Sequence, residues 1–155
     1  MLYLDASALV KRYLREPGSR AVNARFGRGE RIFTSALSYA EIQAVLGRKY
    51  QRRELGKDAY RRARDGFIQD WLYSLNVLAV DTNVMASLPT LVERYSLRGA
   101  DAVHLSSAHW LRDMCQLVTS FARGDQRLEF GVSDKKLAAC ARDCSLEVFD
   151  PHASG

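Results

Sequence analysis

The chain has 155 residues, 47% of them hydrophobic and 26% charged, with a formal net charge of +5 from 23 Lys and Arg against 18 Asp and Glu. That length suits one domain with a full core, and the apolar content excludes a disordered chain. The basic surplus suits a polyanion such as nucleic acid as well as it suits plain solubility, and no apolar run approaches the ~20 residues of a membrane span.

In chain order, Leu2 to Asp5 reads as a buried strand flowing into a helix from Ser7 to Arg15, which Glu16-Pro17-Gly18 breaks. A short helix from Ser19 to Gly27 and a strand around Arg31 to Thr34 come next. A long amphipathic helix then starts at Ser35 and ends near Arg53, followed by a helix from Lys57 to Leu75 with Tyr60, Ala63, Phe67, Trp71 and Leu72 along one side. Asn76 to Val80 is a strand, and Asp81-Thr82 caps a helix toward Tyr95. A helix carrying Asp101 follows. Between Cys115 and Gly131, both Leu117-Val118-Thr119 and Leu128-Glu129-Phe130 have strand character, and only one of them need be a strand. A helix from Asp134 to Asp143 and a strand from Leu146 to Phe149 complete the pattern, with residues 151–155 expected to be a loose tail. Strands separated by long helices imply a single α/β domain over residues 1–155, a three-layer α/β/α sandwich with a mainly parallel central sheet.

Met1 leads almost directly into a core strand, which leaves no room for a targeting segment. The odd set Cys115, Cys140 and Cys144 contains no CxxC pair and, even with His109, matches no zinc spacing. Inert thiols in a reducing cytoplasm are the expectation.

Four acids stand out. Asp5 ends the first strand, where it either caps the following helix or is freed from that task by Ser7. Glu41 has Leu37, Ala44 and Val45 as its i−4, i+3 and i+4 neighbours, so it points with an apolar stripe and needs a cation or donor there; Arg48 is one candidate. Asp101 opens a helix that presents His104 and Leu105 on the same side, with His104 read as a packed core histidine, a ligand or a base. Asp134 follows a β-like run and precedes a helix; Ser133 is a competing cap and Asp125 a rival for the fourth acid. In a parallel sheet the strand C-termini share one edge, where ligand sites of open α/β sheets lie. Four carboxylates within ~5 Å repel by about 3 kcal/mol per pair at an effective dielectric of ~20, so the cluster requires protons or cations. Oxygen-only ligands favour Mg²⁺ or Mn²⁺ over zinc, and such ions suit phosphodiester hydrolysis.

These residues resemble the PIN-domain ribonucleases, in particular the VapC-type toxins of toxin–antitoxin pairs. The opening Leu2-Tyr3-Leu4-Asp5-Ala6-Ser7-Ala8-Leu9-Val10 and the segment Thr34-Ser35-Ala36-Leu37-Ser38-Tyr39-Ala40-Glu41-Ile42 are similar to the family's first two acid blocks. Leu97-Arg98-Gly99-Ala100-Asp101-Ala102-Val103-His104-Leu105 is the closest match, and Phe130-Gly131-Val132-Ser133-Asp134-Lys135-Lys136-Leu137 resembles the closing block, with Val132 where the family has Thr or Ser. The resemblance implies a Mg²⁺- or Mn²⁺-dependent endoribonuclease in which Asp5, Glu41 and Asp101 bind metal, Asp134 closes the shell directly or through water, and Ser7 is auxiliary. It also implies an RNA substrate, a homodimer and a cognate antitoxin that blocks the site. Lys11-Arg12, Arg48 to Arg53 and Arg61-Arg62 with Arg64 are basic stretches that either guide RNA or are solvated helix faces; Arg48, Lys49 and Arg52, continuing the helix of Glu41, are the first choice for substrate contact. A PIN-type nuclease of RNA or DNA processing without an antitoxin, and a non-catalytic RNA-binding domain of the same fold, are the alternatives. A phospho-acceptor receiver domain would need an acidic pair after the first strand, which Asp5 lacks.

Overall fold

The computed structural model describes residues 1–119 and 127–153. Five short strands, β1 (Leu2–Leu4), β2 (Ile32–Ser35), β3 (Leu75–Leu78), β4 (Glu129–Gly131) and β5 (Glu147–Phe149), form one parallel sheet in the order β3-β2-β1-β4-β5. The chain winds outward from β1 to β3, then returns to pair β4 with the other side of β1, so the order reverses at the centre of the sheet. Such a switch point opens a crevice at the strand C-termini.

Both faces of the sheet are covered, because β1 alternates a side chain to each. Leu2 and Leu4 pack with Leu9, Val22, Ile42, Leu46 and Phe67 of α1 (Ala6–Leu9), α2 (Ser19–Gly27), α3 (Leu37–Gln51) and α4 (Lys57–Tyr73). Tyr3 enters the opposite core with Leu91, Leu97, Leu105, Phe130 and Leu137. That layer contains α5 (Thr82–Ala86), α6 (Leu88–Tyr95), α7 (Gly99–Thr119) and α8 (Lys135–Asp143). The three-layer expectation therefore holds.

Several boundaries differ from those the sequence suggests. The helix from Ser7 is four residues long and tightens into a 3-10 turn at Val10–Arg12. Asp81 does cap, accepting from Asn83 N and Val84 N, but the run toward Tyr95 divides at Ser87, just before Pro89. Leu117 to Thr119 is the last turn of α7 rather than a strand, leaving Glu129–Gly131 as the strand of that region. Pro151, expected in a loose tail, is buried and abuts Gly18, whose positive φ and missing Cβ admit it. All three cysteines are free thiols, and burial raises the Cys115 and Cys140 pKa values, which disfavours their thiolates.

The two edges of the sheet differ in charge. At the N-terminal edge, Arg25 pairs with Glu30 at 2.7 Å and with Glu129, and its guanidinium lies 4.9 Å from the Phe149 ring centre. Opposite charges are satisfied there. The C-terminal edge is where acids accumulate.

Candidate active site

Asp5, Glu41, Asp101 and Asp134 all line one cavity of about 380 Å³ together with Ser7, Ser96, Arg98, His104 and Lys136. Four different segments deliver the acids. Asp5 follows β1 directly; its backbone N–H donates to Gly131 O at 3.0 Å, tying it to β4. Its carboxylate caps α1 by accepting from Ala8 N at 2.8 Å and accepts the Ser7 hydroxyl at 2.8 Å on each oxygen. The capping and functional readings of Asp5 are thus compatible. Ser7 in turn accepts from Ser133 N at 3.1 Å, so its role is to hold Asp5 and to join the ends of β1 and β4.

Glu41 is placed by buried hydroxyls beneath it. Thr34, at the end of β2, donates to Leu4 O at 2.8 Å and bonds Ser38 at 2.7 Å, which fixes the start of α3. Glu41 lies three residues beyond Ser38 and therefore one turn higher on the same side. It borders the buried stripe of Ser38, Ile42 and Leu46 rather than belonging to it, with 30% of its side chain exposed. Its partner is not Arg48 but His104, whose Nε2 lies 2.7 Å from Glu41 Oε2. His104 is 2% exposed and meets the Tyr3 hydroxyl through Nδ1 at 3.0 Å. It is both a core histidine and part of the site. No local sequence signal links residues 3, 41 and 104.

Asp101 lies in the first turn of α7, two residues after Gly99, rather than at its cap. Asp134 caps α8, accepting from Leu137 N at 2.8 Å, and Ser133 does not take that place. Asp125 lies outside the described residues.

The site's electrostatics are those of an acid cluster short of cations. Burial pushes the Asp5 pKa from 3.8 up to about 6, against relief from the His104 charge and from the Ala8 and Ser7 hydrogen bonds. Burial also raises Asp101, and the nearby Asp134 charge adds to it, while Arg98 and His104 oppose the shift. Lys136 is directed to Ser96 O at 2.8 Å. Among the described residues no three His, Cys, Asp or Glu side chains are gathered as a ready metal group. The acids ring the cavity instead of meeting at one point. The donor set still fits a hard divalent cation: it is carboxylate oxygen, facing a common space, and two of its members resist ionisation chiefly because they are buried.

Arg48, Lys49 and Arg52 do not reach this cavity. At ~1.5 Å rise per residue, Lys49 stands about 12 Å along α3 from Glu41. Its ammonium pairs with Glu16 at 3.1 Å and Glu54 at 3.2 Å, on the wall of a larger hollow of about 840 Å³. That hollow holds none of the four acids, and its charges are largely matched, with Arg12 bonded to Asp70 at 3.1 Å. Lys11 is buried, 3.9 Å from Glu16, so the Lys11-Arg12 stretch is tied up within the fold. The cations beside the acids are Arg98 and Lys136, which the sequence pattern did not single out. No helix among the described residues is long and apolar enough to cross a membrane.

The PIN domain family profile matches residues 2–123. Ribonuclease VapC49 of Mycobacterium tuberculosis is 29% identical over 148 residues, covering 96% of this chain and 94% of its own length. Ribonuclease VapC46 of the same organism is 34% identical over 110 residues, or 71% of this chain and 75% of its own. Among solved structures, FitAcB from Neisseria gonorrhoeae aligns over 97% of this chain and 98% of that one with a TM-score of 0.66 at 18% identity, and so shares the fold.

Proposed function

The chain belongs to the PIN domain family, among its VapC-type ribonucleases, and on that premise we propose that it is a divalent-metal-dependent endoribonuclease, the toxin of a toxin–antitoxin pair. The observation that carries this reading is the convergence of Asp5, Glu41, Asp101 and Asp134 on one cavity at the switch point of the sheet. Asp5, Glu41 and Asp101 would hold Mg²⁺ or Mn²⁺, and Asp134 would complete the shell directly or through water. When bound, such an ion supplies Lewis-acid polarisation of a phosphate and a more acidic water.

The protein's own contribution is positioning. Ser7 and Ala8 hold the Asp5 carboxylate, so both of its oxygens have defined directions. His104 holds Glu41. Arg98 and Lys136 at the cavity wall attract the phosphodiester backbone toward an otherwise repulsive acidic centre. The partners that follow are RNA as substrate, a second copy of the chain, and a cognate antitoxin that would neutralise the acids with a cation of its own. The setting is the cytoplasm, where such an RNA substrate lies.

The test is cleavage of single-stranded RNA with Mg²⁺ or Mn²⁺, with chelator, and by Asp101→Asn. Cleavage should vanish in chelator and fall by at least ~100-fold in the variant. Equal cleavage by wild type and Asp101→Asn would refute the assignment of the site.

A further inference from the structure

The mechanism uses only the last link of a buried polar chain that starts in the central strand. Tyr3 is fully buried, and its hydroxyl meets His104 Nδ1 at 3.0 Å; His104 Nε2 meets Glu41 Oε2 at 2.7 Å. Each residue comes from a different element: β1, α7 and α3. The chain has a direction. An ionised carboxylate only accepts, so the nitrogen 2.7 Å from Glu41 must carry a proton, and whenever the ring is neutral Nδ1 is then an acceptor. The Tyr3 O–H is the donor that matches it. Ser107 Oγ is also buried, with no hydrogen-bond partner among the described residues. The aromatic packing leaves the two rings little freedom, with Tyr3 stacked on Phe130 at 5.6 Å between centroids and edge-on to His104 at 6.1 Å.

We infer that Tyr3 and His104 are positioning residues that fix the Glu41 carboxylate for metal binding, Tyr3 setting the ring tautomer and His104 setting the carboxylate's direction. Glu41 needs this support more than Asp5 or Asp134. Asp5 and Asp134 are anchored by capping bonds to their own helices, whereas Glu41 sits inside α3 on a longer side chain. A flexible ligand loses more entropy on binding unless it is already held, and groups that orient a ligand typically contribute 10–100-fold in metal affinity.

The inference rests on the reading of Glu41 as a metal ligand, and the experiment separates the two. Mn²⁺ binding is measured by titration calorimetry on the full chain for wild type, Glu41→Gln, His104→Ala, His104→Gln and Tyr3→Phe, with folding checked by circular dichroism. The expected result is a large loss in Glu41→Gln, about 10–100-fold weaker binding in His104→Ala, recovery to within about threefold in His104→Gln, whose amide keeps a donor near Nε2, and an intermediate loss in Tyr3→Phe. Nitrogen NMR of wild-type His104 should show a protonated Nε2 and a bare Nδ1, with the preference lost in Tyr3→Phe. If Glu41→Gln binds Mn²⁺ as wild type does, the ligand reading fails and the inference with it. If Glu41→Gln loses binding while folded His104→Ala and Tyr3→Phe keep it, the ligand reading stands and the positioning chain is refuted. A neutral His104 ring protonated at Nδ1 in wild type also refutes it.

Discussion

At position 5 the fold buries a carboxyl to 4% exposure and raises its pKa from 3.8 to about 6, chiefly through desolvation. A folded-state value above the unfolded one means that the native protein holds this proton more tightly. The metal-free protein therefore loses stability as pH rises from about 4 to about 6, and the cost is fully present above that range. At about 1.4 kcal/mol per pH unit the cost approaches 3 kcal/mol. Asp5→Asn keeps an acceptor for Ala8 N while removing the charge. In chelator at pH 7.5 it should be more stable than wild type by about 1–3 kcal/mol in urea unfolding, and the gain should shrink toward pH 4. Destabilisation at pH 7.5 would mean that the carboxylate is better compensated than its surroundings indicate. The same variant should be inactive on RNA, a trade of function for stability at one side chain.

The strands are only three or four residues long, so their register depends on a few close contacts. Gly131 is the tightest of these: a Cβ there would lie 2.4 Å from Leu4 Cδ2 and 3.1 Å from Phe149 Cδ1. Its carbonyl also accepts from Asp5 N, so displacement of β4 would move a site residue. Gly131→Ala should cost about 1–3 kcal/mol in chemical denaturation. Gly47→Ala, in the middle of α3 with open space around it, should instead gain up to about 1 kcal/mol. Equal effects of the two would show that the close approach is easily relieved. At this scale the alternation of strands and helices was legible, because apolar runs and caps are local signals. Asp5 and Asp101 were legible from the residues around them. The partner of Glu41 was not, since His104 is 63 positions away and only the packing of α7 against the sheet brings it near. Arg48, Lys49 and Arg52 stand outside the cavity for a related reason: continuity along a helix carries a side chain away from a site at its start. The last turn of α7 looked strand-like because Leu117, Val118 and Thr119 have strand propensity, which 18 preceding helical residues outweigh.

Over the whole molecule, a basic protein of net charge +5 gathers four of its 18 acids at one end of the sheet and pairs acids with Arg25 at the other. RNA affinity should therefore fall with salt, steered by cations around an acidic centre. Replacing both Arg98 and Lys136 with Gln should weaken binding and reduce the slope of log affinity against log salt by about 1.4, two phosphate contacts on a single strand. This is measured on the Asp101→Asn protein to prevent cleavage; an unchanged slope would place the phosphate contacts elsewhere. The site is also assembled from the two far ends of the sequence. Ser7 and Ser133, bonded to each other, are 126 residues apart, and β1 gains its β4 neighbour only when residues 129–131 arrive. During synthesis Asp5 emerges well before Asp134, so a growing polypeptide carries these acids unassembled until residues 129–134 have left the ribosome. A nascent chain shorter than this has no closed cavity, so whatever chemistry the four acids perform begins only once β4 has docked beside β1.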